Sequence, residues 1–222
     1  MYHITTSNLC QKKIGKGSFG TVYEGINTKN NDKIAFKLEK REKGKSGTLE
    51  TEAYRLLYLQ GEGVPKIYCY GNNSSYNILI QELLGDSLDT LFTKHSKKFS
   101  LKTVCMLGLQ MISVLEYIHN RHIVHRDIKS DNIVVNKEGQ CKICDFGMAR
   151  KIGKEGDKFT SCQGNIYFYP PEFCDGKDTK YYQLKPVDVW AFGIILYYMI
   201  SYNNFYYKKK YLVFYQEMFL LL

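Results

Sequence analysis

Ile14-Gly-Lys-Gly-Ser-Phe-Gly-Thr-Val-Tyr-Glu-Gly-Ile26 sets three glycines, at 15, 17 and 20, ahead of an alternating run from Thr21 to Ile26. The spacing G-x-G-x-x-G suits a backbone that comes close to phosphate oxygens, because a side chain at those positions would hold an anion off. Two unrelated folds use it. A dinucleotide-binding turn opens a helix directly after the third glycine and carries an acidic residue about 20 positions on. Here the polar turn Thr28-Lys-Asn-Asn-Asp32 leads into a second alternating run, Lys33-Ile-Ala-Phe-Lys-Leu38. A β-hairpin therefore follows the glycines, which excludes the dinucleotide turn and puts Lys37 on the neighbouring strand.

Working outward, Leu49, Ala53, Leu56, Leu57 and Gln60 recur at helical spacing, so Thr48–Gln60 is expected to form one amphipathic helix, ended by Gly61 and Pro65. It contains Glu50 and Glu52. Two further strands, near Lys66–Tyr70 and Tyr76–Gln81, flank the turn Gly71–Ser75 and complete an antiparallel sheet with a single helix. From Ser87 the period changes. A short helix, Leu88–His95, precedes a long one in which Leu101, Val104, Gly108, Met111, Leu115 and Ile118 recur at intervals of three and four. The fold class is α+β: a strand-rich part over 9–81, a connection at Glu82-Leu-Leu-Gly-Asp86, and a mostly helical part over 87–222.

Composition fits one domain in two lobes, since 222 residues with 44% hydrophobic and 24% charged side chains can bury a sizeable core. Lysine and arginine exceed aspartate and glutamate by 31 to 22, a net charge of +9 that suits acidic partners. No basic helix or aromatic ladder marks a nucleic-acid site, and Lys208-Lys-Lys210 reads as a solvated turn. The apolar stretches Ile194–Ile200 and Tyr211–Leu222 are too short to cross a bilayer. The N-terminus lacks a secretory signal, so the seven cysteines are expected to be reduced in the cytoplasm or nucleus. Cys141-x-x-Cys144 has no second pair to complete a zinc site and reads as two strand residues facing the core.

His125-Arg-Asp-Ile-Lys-Ser-Asp-Asn132 and Asp145-Phe-Gly147 follow the glycine loop and Lys37 in the order of the protein-kinase signature set. From about Leu9 to Phe205 the chain resembles a eukaryotic-type protein kinase of the serine/threonine class, which implies the two-lobed protein-kinase fold and phosphoryl transfer from ATP with Mg2+. By this resemblance Lys37 holds the non-transferred phosphates and is oriented by a helix glutamate. Glu52 is preferred to Glu50 because Leu56 and Leu59 then fall on the packed face. Asp127 resembles the base for the acceptor hydroxyl, Lys129 the lysine that serine/threonine kinases place beside the transferred phosphate, and Asn132 and Asp145 the metal ligands.

The loop Ile14, Gly15, Lys16, Gly17, Ser18, Phe19, Gly20, Thr21 and Val22 would then lie over the phosphates. Glu82 and Leu84 would present backbone groups to adenine, with Ile14, Val22, Ala35 and Val134 as apolar walls and Gln81 at the back. Cys144 is expected to line the same pocket and to react with thiol reagents in a nucleotide-protected way. Asp188, in Lys185-Pro-Val-Asp-Val-Trp-Ala-Phe-Gly193, resembles the residue that supports the catalytic loop. His125 is read as structural, and His119 and His122 as helix-end residues without catalytic duty.

Glu82–Phe92, Lys98–Val104, Gln110–Ile112 and Glu116–His119 are similar to the casein kinase I family, which favours acidic or already phosphorylated substrates. The segment Tyr169-Pro-Pro-Glu172 is closer to the Ala-Pro-Glu of other kinases. Arg126 beside Asp127 suggests pairing with a phosphate on Thr160 or Ser161. After Asn203-Asn-Phe205 the likeness stops, so the C-lobe is expected to lack helices that the family carries, to leave apolar surface and to favour self-association or a partner. Two functions follow: an active kinase acting on protein serine and threonine, or a catalytically silent ATP-binding scaffold.

Overall fold

The computed structural model describes residues 12–17, 20–28, 30–41, 47–153 and 185–202. Ser18, Phe19, Thr160, Ser161, Tyr169–Glu172, Asn203–Phe205, Lys208–Lys210 and Tyr211–Leu222 lie outside them. The chain forms two compact units, 1–85 with 134–149 and 86–133 with 150–222. Residues 134–149 fall in the 87–222 part along the chain but group in space with the first unit.

In the first unit, β1 (Lys12–Gly17), β2 (Gly20–Ile26), β3 (Lys33–Lys40), β4 (Ile67–Asn72) and β5 (Tyr76–Glu82) form one antiparallel sheet in the order β1-β2-β3-β5-β4. Alternation along β3 and β5 divides its side chains between two faces. Ile34, Phe36, Ile78 and Ile80 make an apolar cluster with Tyr23, Leu38, Tyr68 and Cys69. Ala35, Lys37 and Glu39 lie on the opposite face, cross-strand from Gln81, Leu79 and Asn77. The helix α1 (Thr48–Leu59) packs near β4 and β5. It buries Leu49, Glu52, Ala53, Leu56 and Leu59; each buried leucine contributes roughly 2 kcal/mol.

Leu57 and Gln60 depart from the expectation. Both are exposed, because the buried arc turns through Glu52 and Leu59 instead. Gln60 closes the helix by donating from Nε2 to the Leu56 carbonyl at 2.7 Å.

The start of α1 is capped from outside the helix. Gly47 at the N-cap has no side chain to give, and Glu39 of β3 supplies the acceptor. Its Oε1 takes the Thr48 amide at 2.8 Å and the Thr48 hydroxyl at 2.5 Å, and Oε2 takes Asn77 Nδ2 at 2.8 Å. A Cβ at residue 47 would lie 2.1 Å from Glu39 Oε2, so any larger residue would make that carboxylate shift. Burial pushes the Glu39 carboxyl up. The hydrogen bonds from Thr48, Asn77 and the Leu49 amide outweigh that and hold it below its ordinary value.

After β6 (Asp86–Ser87), the second unit contains α2 (Leu88–Lys94), α3 (Leu101–Asn120), β7 (Ile123–Val124), and, beyond the intervening β8 (Ile133–Val135) and β9 (Cys141–Ile143), β10 (Arg150–Lys151) and α4 (Lys185–Ser201). Ser87 and Ser100 cap α2 and α3, each accepting the amide three residues on, at 3.2 and 3.1 Å. On α3, Val104, Gly108, Met111, Leu115 and Ile118 are buried, whereas Leu101 is 66% exposed because it sits in the first turn, before the buried face begins. A Cβ on Gly108 would be 3.5 Å from Leu196 Cδ1, an ordinary van der Waals contact, so α3 faces α4 here without needing glycine. Phe92 joins α2 to this layer through edge-to-face contacts with Phe99, Tyr198 and Tyr202, at centroid distances of 5.1, 5.8 and 5.7 Å.

By length and composition α3, at 20 residues and a mean hydropathy of 1.4, could cross a membrane. Its buried inner face against α4 is that of a core helix.

Candidate active site

The first unit brings together three charged side chains from distant parts of the chain. Lys37 stands on β3, Glu52 on the inner arc of α1, and Asp145 immediately after β9. Lys37 Nζ donates to Glu52 Oε2 and to Asp145 Oδ1, each at 2.7 Å. Glu52 and Lys37 are almost fully buried, while the Asp145 side chain keeps 23% of its exposure. Glu50, one residue pair away on the same helix, is only half-buried and has no part in this cluster. Helical geometry decides between them, since residue 52 shares the arc of Leu49 and Leu56.

Two carboxylates sharing one ammonium leave one excess negative charge. Burial would push Lys37 down, but Glu52 and Asp145 reverse this and hold it above its ordinary value, so it stays cationic through the neutral range. Burial and the neighbouring charge of Asp145 push Glu52 up against the pull of Lys37. Any added cation or donor that reached Asp145 would relieve the same excess.

The glycine loop separates into positions with different reasons for glycine. Gly20 has φ +142°, and a Cβ there would meet the Leu38 carbonyl oxygen at 2.4 Å, so the hairpin itself requires glycine. Gly15 and Gly17 have room for a Cβ, whose nearest neighbours would be Val22 Cβ at 3.9 Å and Asp145 Oδ2 at 4.0 Å. Their glycines are not explained by the fold. A shift of register between Lys13 and Gly15 leaves Ile14 as the extra residue, 45% exposed. Lys16 is exposed, Thr21 and Val22 are half-buried opposite Leu38 and Lys37, and Ala35 and Val134 are buried.

At the end of β5 the Glu82 amide donates to the Lys66 carbonyl at 2.9 Å, and the Glu82 carboxylate takes the Lys66 amide at 2.7 Å and an ion pair from Lys142. Gln81 is buried, and its Oε1 lacks a hydrogen-bond partner among the described residues. Leu84 is half-buried. Gly85 is compact by need, since a Cβ there would lie 2.1 Å from the Val135 carbonyl oxygen. Burial, reinforced by the charge of Asp145, pushes the Cys144 thiol up to about 12. Thiolate is therefore scarce at neutral pH, and reaction with thiol reagents will be slow.

The second unit holds the other group. Lys129 Nζ donates to Asp127 Oδ2 at 2.7 Å, and Asn132 Nδ2 donates to the same oxygen and to the Asp127 carbonyl, both at 2.9 Å. The carboxylate is thereby fixed by two donors from its own loop. The loop is fixed in turn by Asp188 of α4, which is completely buried. Its Oδ2 accepts the His125 amide and contacts His119 Nε2, and its Oδ1 accepts the Arg126 amide, all at 2.8 Å. Arg126 adopts φ 67°, so these amides are fixed where the backbone is left-handed. The Asp127 amide donates to His125 Nδ1 at 3.3 Å.

Three contributors were not legible as such in the sequence. His119 does end α3, but its imidazole is buried on Asp188. Glu39 was hidden because a cap borrowed from another strand leaves no local signature, although its position two residues after Lys37 placed it on the same face. Arg55 lies one turn after Glu52 and donates to the carbonyls of Phe146 and Gly147.

The first unit thus holds a lysine between a helix carboxylate and a second carboxylate, and the second unit holds an aspartate gripped by lysine and asparagine. The family model for the protein kinase domain matches residues 9–220. With that match spanning nearly the whole chain and these two groups of side chains in place, the chain belongs to the protein kinase domain family.

Proposed function

We propose that this protein kinase transfers the γ-phosphoryl group of ATP to serine and threonine hydroxyls of protein substrates, with Mg2+ as its metal. The observation that carries the reading is the Lys37 ammonium fixed at 2.7 Å from both Glu52 and Asp145. A cation whose direction is set before substrate arrives needs no reorganisation when phosphate binds.

By the family resemblance Asp145 and Asn132 are the residues that would hold Mg2+: each side chain carries a hard oxygen donor, and the excess negative charge beside Lys37 favours a divalent cation. When bound, the metal would supply neutralisation of charge on the triphosphate. Asp127, oriented by Lys129 and Asn132, accepts the proton of the substrate hydroxyl. Gly15 and Gly17, which the fold does not require, present no side chain that would hold phosphate oxygens away. The Glu82 amide is already committed to Lys66, so the Glu82 carbonyl and the Leu84 amide are the groups read as facing adenine.

Lys129 favours serine and threonine over tyrosine by its likeness to that class, and the net charge of +9 favours the acidic or phosphorylated substrates of casein kinase I-like enzymes. A cytoplasmic or nuclear location belongs to the same reading. The test is transfer of labelled terminal phosphate from ATP to an acidic serine peptide and to its tyrosine counterpart. Wild type is expected to label the serine peptide, and Asp127→Asn to lower the rate by about 10²–10⁴-fold. Magnesium-dependent ATP binding without transfer would replace the proposal with the silent scaffold.

A further inference from the structure

α1 carries a link to Asp145 that lies outside every motif. Arg55 follows Glu52 by three residues, so both project from neighbouring turns of one helix. Its Nη1 donates to the carbonyl oxygens of Phe146 at 3.0 Å and Gly147 at 3.1 Å. Those are the two residues directly after Asp145, which sits at φ 64°, ψ 64°. For a residue with a Cβ this left-handed conformation is disfavoured, and it persists only where the surroundings impose it.

Among the described residues, two holds bear on this segment. Lys37 takes the Asp145 carboxylate, and Arg55 takes the chain immediately beyond it. Through Glu52 and Arg55, one helix therefore governs both the direction of Lys37 and the backbone around Asp145. The helix is itself anchored to β3 by Glu39, which accepts the Thr48 amide at 2.8 Å.

We propose that Arg55 is a positioning residue that keeps Asp145 in its left-handed conformation and thereby sets the affinity for metal-bound nucleotide. This role rests on the phosphotransferase reading above. Arginine suits it because one guanidinium nitrogen carries two hydrogens in a fixed plane and can serve two carbonyls at once.

The experiment uses the full chain, with Arg55→Ala and Arg55→Lys. The first readout is amide hydrogen exchange at Ala149, whose N–H closes the turn onto the Phe146 carbonyl at 3.1 Å. The second is the magnesium dependence of binding to a fluorescent ATP analogue, measured without any transfer reaction. Arg55→Ala is expected to speed exchange at Ala149 about tenfold and to raise the half-saturating magnesium about fivefold, the scale set by releasing one left-handed residue. Binding of the analogue without magnesium should change less than twofold on the same scale.

Arg55→Lys keeps the charge but loses the planar fork, and should fall between wild type and alanine. It carries the test if the alanine variant does not fold. A wild type that binds the analogue, with variants that match it in both readouts, overturns the role of Arg55 alone. A wild type that binds no nucleotide at any magnesium concentration overturns the phosphotransferase reading and this role together.

Discussion

The two charged groups are held in opposite ways. In the first unit, Lys37, Glu52 and Asp145 hold one another through side-chain ion pairs that leave an excess negative charge. In the second, Asp188 holds the loop that begins at His125 by accepting the amides of His125 and Arg126 and by contacting the His119 imidazole. An arrangement of side-chain charges that carries one excess negative charge can take up a cation without giving up its internal ion pairs. A buried carboxylate that satisfies backbone donors cannot let go without stranding them. One group is thus built to respond to ligand, the other to stay fixed.

That contrast can be broken most severely at Asp188. Asp188→Ala leaves two backbone amides and a buried imidazole without their acceptor and should cost about 3–5 kcal/mol of stability. Thermal and urea unfolding measure this, and a loss below 1 kcal/mol, on the scale of an exposed hydrogen bond, would remove the claim that α4 anchors the loop.

The opposite pattern is expected at Glu52. Glu52→Gln keeps the shape but removes the charge that orients Lys37, so kcat/KM should fall about 100-fold, the scale of a misplaced reacting group. Stability should change little, because the same substitution removes the excess negative charge. A large fall in melting temperature with unchanged kcat/KM would invert the comparison.

The smallest effect concerns Glu39. Glu39→Ala should cost about 1 kcal/mol at neutral pH, the usual value of a lost helix cap. Because the folded-state pKa lies below the ordinary 4.5, the contribution is present above pH 4.5 and disappears as pH falls through the folded value. The difference in stability between wild type and Glu39→Ala, followed from neutral to acid pH, should shrink in that window; a difference that grew on acidification would reject the cap.

Much of the fold follows from local pattern. Alternation from Thr21 to Ile26 and from Lys33 to Leu38 announces the hairpin, and the 3.6-residue period announces α1 and α3. The order of the glycine loop, Lys37, His125–Asn132 and Asp145–Gly147 announces the family. Helical geometry alone favours Glu52 over Glu50. Where the pattern failed, at Leu57, Gln60 and Leu101, the residue had helical spacing but lay beyond the arc or turn that meets a neighbour.

Sequence by itself determined the elements, their order and the types of reactive side chain, because periodicity and turn chemistry act over a few residues. Tertiary structure alone decided the partners: His119 with Asp188, Glu39 with the start of α1, Arg55 with the chain after Asp145, and residues 134–149 with the first unit. It also separated Gly20, which the backbone demands, from Gly15 and Gly17, which it does not. These are contacts between segments far apart in the chain, and their geometry exists only after the intervening backbone has folded.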